Sequence, residues 1–126
     1  MQKDYTQKAA AAKVDKQLAT EYRSALLTKA KADGVGIVHI FNEFDAKGGL
    51  TVAFQKSSEY TSGVMVTVAV NVCSKEDAFS RNIGTTGALD KFFDGQTIEL
   101  PLLNQWEAED LSMAVKFAFS QFYFAM

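Results

Sequence analysis

The sequence predicts an α+β fold: an N-terminal helix, an antiparallel three- to four-stranded sheet, and two further helices packed on one face. Three observations predict it. Gly63 to Cys73 alternates with period two, setting Val64, Val66, Val68, Val70 and Val72 on one face and Met65, Thr67, Ala69, Asn71 and Cys73 on the other, as a strand with one apolar face does. Residues 2 to about 32 are rich in alanine and other strong helix formers, with Val14, Leu18, Tyr22, Ala25 and Leu26 at helical spacings. Near the C-terminus, Leu111, Ala114, Val115, Ala118 and Phe122 form a second helical stripe, with Trp106, Met113, Phe117 and Phe124 beside it.

The first helix is expected to stop at Asp33-Gly34, because glycine accepts the left-handed conformation at a helix C-terminus. Residues 1–12 carry little that must be buried, so this end is expected to fray or project. Val35 to Phe44 follows as the first strand. Asp45 to Gly49 has hairpin-loop composition, and Leu50 to Gln55 is the second strand, with Leu50, Val52 and Phe54 on one face. Ser57 to Gly63 reads as a polar loop. The third strand is expected to stop at Cys73. Ser74 would then cap a new helix, with Asp77 as the reciprocal partner in a capping box. Gly84 and Gly87 would interrupt or split that helix, and Asp94-Gly95 would end it. Gln96 to Leu100 is a short fourth strand closed by Pro101, which has no N–H for a ladder. Asn104 and Glu107 form a second capping-box arrangement, with Glu107, Glu109 and Asp110 suited to a helix N-terminus.

Composition narrows the function. The chain has 126 residues, 48% of them hydrophobic and 22% charged, which predicts a single domain over residues 1–126 without long disorder. The net charge is −2 and the only arginines are Arg23 and Arg81, which argues against a dedicated binder of duplex nucleic acid. Cys73 is the single cysteine, so no internal disulfide forms and a reducing cytoplasm is the expected compartment. The charged N-terminus lacks the apolar core of a signal peptide, and no apolar run reaches the roughly 18 residues of a membrane span.

Polar side chains and a helix N-terminus meet in the stretch Cys73 to Gly84, and a helix N-terminus receives anions well. Arg81 lies four residues beyond Asp77, so a helix would place the two on one face. An exposed ion pair is the plain reading. The functional reading has Arg81 holding a phosphate and Phe79 stacking on a base. Gly84-Thr85-Thr86-Gly87 is either a helix break or a phosphate-cradling loop, without the lysine of a P-loop. His39, the only histidine, shares a strand face with Ile37 and Phe41 and is expected to be partly buried and hydrogen-bonded. Neither a metal site nor a catalytic set can be assembled around it.

Cys73, Ser74, Asp77, Phe79, Ser80, Arg81, Gly84, Ala88 and Lys91 follow a pattern that resembles a motif of small phage-encoded accessory proteins, Cys-(Ser/Asn)-x-x-Asp-x-Phe-(Ser/Asn)-(Arg/Lys)-x-x-Gly-Arg-x-x-Ala-x-x-Arg. The match, Val72 to Phe92, covers about a sixth of the chain, and Thr85 stands where the pattern has arginine. One similar group is the anti-Thoeris phage proteins that sequester cyclic ADP-ribose signals. The resemblance implies a non-catalytic anti-defence protein in the host cytoplasm, with Phe79 stacking on a base and Arg81 on phosphate.

The expected function is therefore binding of a small anionic ligand of the nucleotide class at the strand-to-helix junction, through Ser74, Asp77, Phe79, Arg81, Gly84, Thr85 and Lys91. No cofactor, metal or catalytic residue is expected. The alternative is a protein-binding module that inhibits a host enzyme through the N-terminal helix or the aromatic C-terminal helix. The density of aromatic residues after Phe117 also leads us to expect a homo-oligomer.

Overall fold

The computed structural model describes residues 2–42, 44–60, 63–103 and 111–125. In chain order the elements are α1 (Gln2–Asp33), β1 (Gly36–Ile40), β2 (Lys47–Tyr60), β3 (Gly63–Ala78), α2 (Arg81–Phe93), β4 (Ile98–Leu103) and α3 (Leu111–Ala125). The strands form one antiparallel sheet in the order β1-β2-β3-β4. The fold is thus the expected α+β class, with an N-terminal helix, an antiparallel sheet and two further helices.

The valine alternation is real, and it sorts the molecule into two cores. Val66 and Val68 join Val38, Ile40, Leu50, Val52 and Phe54 in a cluster closed by Val115 and Tyr123 of α3. The opposite face contributes Ala53 and Ala69, which pack with Ala88 and Leu89 of α2 and with Leu26 and Ala30 of α1. The single helix-bearing face of the sequence reading is therefore more particular in the structure: α3 takes the valine face, and α2, backed by α1, takes the other. Small side chains make the second contact possible. A Cβ on Gly84 would lie 2.0 Å from Thr51 Oγ1, and one on Gly87 would lie 2.5 Å from Asn71 Oδ1. These glycines let α2 close on the Thr51 and Asn71 side chains of the sheet. They do not break it, since α2 runs continuously through both.

The end of α1 follows the expected chemistry. Gly34 adopts φ +73°, and the Val35 N–H donates to the Ala30 carbonyl at 2.8 Å. Among the described side chains, the apolar stripe of this helix is buried only in its last turns. Leu26 and Ala30 are buried, whereas Leu18 and Tyr22 remain about half exposed. The Tyr22 hydroxyl donates to the Asp90 carboxylate of α2, and that bond raises the phenol above its ordinary pKa. Lys29 Nζ lies 4.3 Å from the centre of the Phe93 ring.

Several strand boundaries differ from the expectation. β1 is shorter, ending at Ile40. β2 is longer at both ends, running through much of the supposed polar loop with an irregularity between Lys56 and Ser58. β4 includes Pro101, opposite Met65. An edge strand tolerates proline because one side of its ladder has no partner to satisfy. Asn104, Glu107, Glu109 and Asp110, the expected cap of α3, lie outside the described residues. No described helix is long and apolar enough to cross a membrane.

Candidate functional site

The junction between β3 and α2 is built differently from the capping box expected there. β3 does not stop at Cys73. It continues to Ala78, which pairs with Lys47, while Cys73 pairs with Gly49. The four residues Ser74 to Asp77 therefore stand opposite Gly48 alone and bulge out of the ladder. Local bonds hold the bulge. The Glu76 N–H donates to Ser74 Oγ at 3.2 Å. The Cys73 thiol lies beneath, 3.6 Å from the Ser74 carbonyl oxygen and 3.7 Å from those of Asp77 and Ala78. The Phe79 N–H donates to the Ala46 carbonyl at 2.9 Å, which carries the pairing one residue further.

The N-cap of α2 is Ser80, in extended conformation at φ −124° and ψ 119°, its Oγ accepting from the Ile83 N–H at 3.2 Å. Ser74 and Asp77 are thus bulge residues and not a helix cap. Asp77 and Arg81 do not share a helix face, and the one ion pair within 4.0 Å among the described residues joins Lys56 to Glu59 at 3.4 Å. The physical reason is non-local. Lys47 and Ala46 offer Ala78 and Phe79 backbone partners that a helix starting at Ser74 would forgo, and Ser80 caps as well as Ser74 would.

Between bulge and helix lies a cavity of about 280 Å³. Its polar lining is Thr51 and Asn71 from the sheet, Cys73, Ser74 and Asp77 from the bulge, and Ser80 at the start of α2. Val72, Ala78, Phe79 and Ile83 supply apolar wall, and Gly84 closes the inner end. The first turn of α2 thus opens onto a recess with hydroxyl, amide and carboxylate groups.

Beside this cavity stands an aromatic stack. Phe79 is half-buried and lies on Phe41, with ring centres 4.8 Å apart and planes 15° from parallel. His39 meets Phe79 edge-on at 5.7 Å. A Cβ on Gly49 would come within 2.6 Å of the Phe79 ring, so the backbone there lies against it. The Arg81 guanidinium is 5.4 Å from the centre of Phe41. His39 is partly buried and its Nδ1 lies 3.0 Å from Thr51 Oγ1. Burial lowers the imidazole pKa, and the charges of Arg81 and Lys116 lower it further.

The residues expected at the site fall into three groups. Ser74, Asp77, Phe79 and Gly84 line the cavity. Arg81 stands on the first residue of α2, exposed, over Phe41. Thr85 and Lys91 lie apart: Thr85 is buried, and Lys91 Nζ donates to the Val70 carbonyl at 3.2 Å. Sequence reasoning missed Thr51 and Asn71 as cavity walls and Phe41 as the partner of Phe79. The strand alternation puts Asn71 and Cys73 on one face, and His39 and Thr51 pair across β1 and β2, so the neighbourhood had a signal once the register was known. No family model, curated protein or solved structure matches this chain.

Proposed function

We propose that the protein is a non-catalytic binder of a small anionic ligand of the nucleotide class, held in the cavity between the β3 bulge and α2. The observation that carries this reading is the convergence on one recess of the N-terminus of a 13-residue helix with the side chains of Asn71, Ser74 and Ser80, over the buried Thr51. Peptide N–H groups at such a terminus favour phosphate, and Arg81 adds an exposed cation at the same end of the helix. The Asp77 carboxylate disfavours a bare anion but accepts hydrogen bonds from sugar hydroxyls or a base amino group. The apolar wall formed by Val72, Ala78 and Ile83 suits a base. Together these favour a nucleoside phosphate over inorganic phosphate. Phe79 acts as part of the wall, since Phe41 covers one side of its ring. Such a protein would sequester its ligand, the role the motif resemblance implies.

Thermal denaturation in the presence of mononucleotides, cyclic nucleotides, ADP-ribose and inorganic phosphate tests this reading. A ligand at a hundred times its Kd stabilises the folded state by about 2.7 kcal/mol, an upward Tm shift on the order of 10 °C for a domain of this size. A nucleoside phosphate is expected to produce the shift and inorganic phosphate a smaller one. Arg81→Ala should weaken the shift while leaving the Tm of the unliganded protein in place. Flat curves across the panel would remove the proposal.

A further inference from the structure

The valine face is stepped. α3 packs chiefly over β1, where Val115 and Tyr123 close on Val38, Ile40 and Val52. Beside the helix, the β3–β4 half of the same face is an apolar trough of about 450 Å³, with Val70, Val72, Ile98 and Leu100 as floor and Ala118 and Phe119 as wall. Ile98 is 60% exposed and Val72 62%. Hydrocarbon lining on this scale is expensive to leave in water.

The outer ridge of α3 is apolar as well. Met113 is 62% exposed and Phe117 49%. Each is two residues from the buried Val115, about 200° around the helix, so both point away from their own sheet. Four residues apart, they share one line along the helix.

We propose that this face associates with the same face of a second copy about a two-fold axis, the α3 ridge of each copy seated in the trough of the other. A two-fold contact requires a patch that complements itself, and a ridge beside a trough on one face does so. The widths agree: two strands span about 10 Å, the diameter of one helix. The charges agree too. Lys116 is the only charged residue between Leu111 and Ala125, so no carboxylate is desolvated when α3 is covered. Patches of a few hundred Å² on each of two copies approach the roughly 1,000 Å² at which specific interfaces begin. Thr51 and Asn71 place the ligand cavity on the opposite face of the sheet from the trough, and the two meet only at Val72, which borders both.

Light scattering on the full chain, under reducing conditions to keep Cys73 as thiol, gives the test. The wild type should show a mass near twice 13.8 kDa at high concentration and dissociate on dilution. Phe117→Glu on the ridge and Ile98→Lys in the trough should each weaken association at least tenfold, with an unchanged circular dichroism spectrum. Met113→Glu replaces the ridge variant if Phe117→Glu fails to fold. Mixing the ridge and trough variants should restore a dimer, since one contact is then wild type and the other pairs glutamate with lysine. A wild type monomeric at every concentration would overturn the proposal. So would a dimer that both variants leave intact, or a mixture that stays monomeric.

Discussion

The two faces of the sheet solve the same packing problem with opposite materials. The valine face uses large β-branched side chains, with Val52, Val66 and Val68 fully buried, and meets α3 through equally large partners. The other face uses Thr51, Ala53 and Ala69, and meets α2 through Gly84, Gly87 and Ala88. Large side chains hold a helix away from the sheet and leave a trough where the helix does not reach. Small ones bring the helix close to the sheet, so that its first turn and the β3 bulge enclose a recess. The association surface and the ligand cavity proposed here follow from this difference.

The largest expected effect tests whether both faces are truly covered. Val66→Asp should unfold the protein, because an unpaired carboxylate would enter a dry core. Ala69→Asp should do the same, although a sequence-level view of its face as small and polar suggests tolerance. Ala69 is 1% exposed, and several kcal/mol is a large share of the roughly 5–15 kcal/mol that holds a small domain together. Loss of the cooperative urea transition in both variants is the expected result. A cooperatively folded Ala69→Asp variant would break the comparison, since it would mean that α2 does not seal its side.

A smaller effect tests the close approach of α2. Glycine inside a helix is less favourable than alanine by about 1 kcal/mol, so Gly84→Ala stabilises on propensity alone. The added methyl would meet Thr51 Oγ1 at 2.0 Å and Thr51 Cβ at 3.0 Å, on a residue with no exposed surface. Overpacking of this kind costs typically 1–3 kcal/mol. The steric term should win, leaving Gly84→Ala destabilised by roughly 1 kcal/mol in urea denaturation. Gly87→Ala should suffer less, because the half-buried Asn71 amide in its way can rotate. Adding Thr51→Ala should recover part of the Gly84→Ala loss, as expected of neighbours in contact. A stabilised Gly84→Ala protein would show that the helix stands further from the sheet.

Much of the fold was legible because its signals are local. The valine alternation, the stop of α1 at Gly34, the end of α2 at Asp94-Gly95 and the half-buried His39 all stand as expected. The face taken by α2 was less legible. Thr67, Ala69 and Asn71 look like a solvated edge of the alternation, and only α2, through Ala88 and Leu89 against Ala69 and Gly87 against Asn71, covers part of it. The junction misled for a related reason. Ser74-x-x-Asp77 is a sound local cap pattern, but pairing of Ala78 with Lys47, far back in the sequence, outweighed it. Of the cavity, one contiguous stretch supplied Ser74, Asp77, Phe79 and Gly84. Thr51 and Asn71 arrive from two different strands, and nothing in their local sequence marks them.

The smallest effect separates the faces by charge. The described members of the valine cluster are apolar side chains and Tyr123, whereas the α2 face carries His39 against Thr51 and Phe79. Burial and the charges of Arg81 and Lys116 hold the His39 pKa below its ordinary value of about 6.5. Below that value the unfolded chain takes up a proton that the folded protein resists. Stability should therefore be full above about pH 6.5 and fall as the pH drops from there, levelling off below the lowered folded value. One group can contribute no more than about 1.4 kcal/mol per pH unit. Glu99 titrates separately: hydrogen bonds from Thr67 and Ser57 hold its carboxyl below the ordinary range, so its contribution is lost only at more acid pH. His39→Asn, whose amide can reach Thr51 from the place of Nδ1, should flatten the slope between pH 7.5 and 5 in urea titrations and leave the more acid limb unchanged. If the slope survives the substitution, the proton taken up on unfolding belongs to another group, and the α2 face is not where acid acts on the fold.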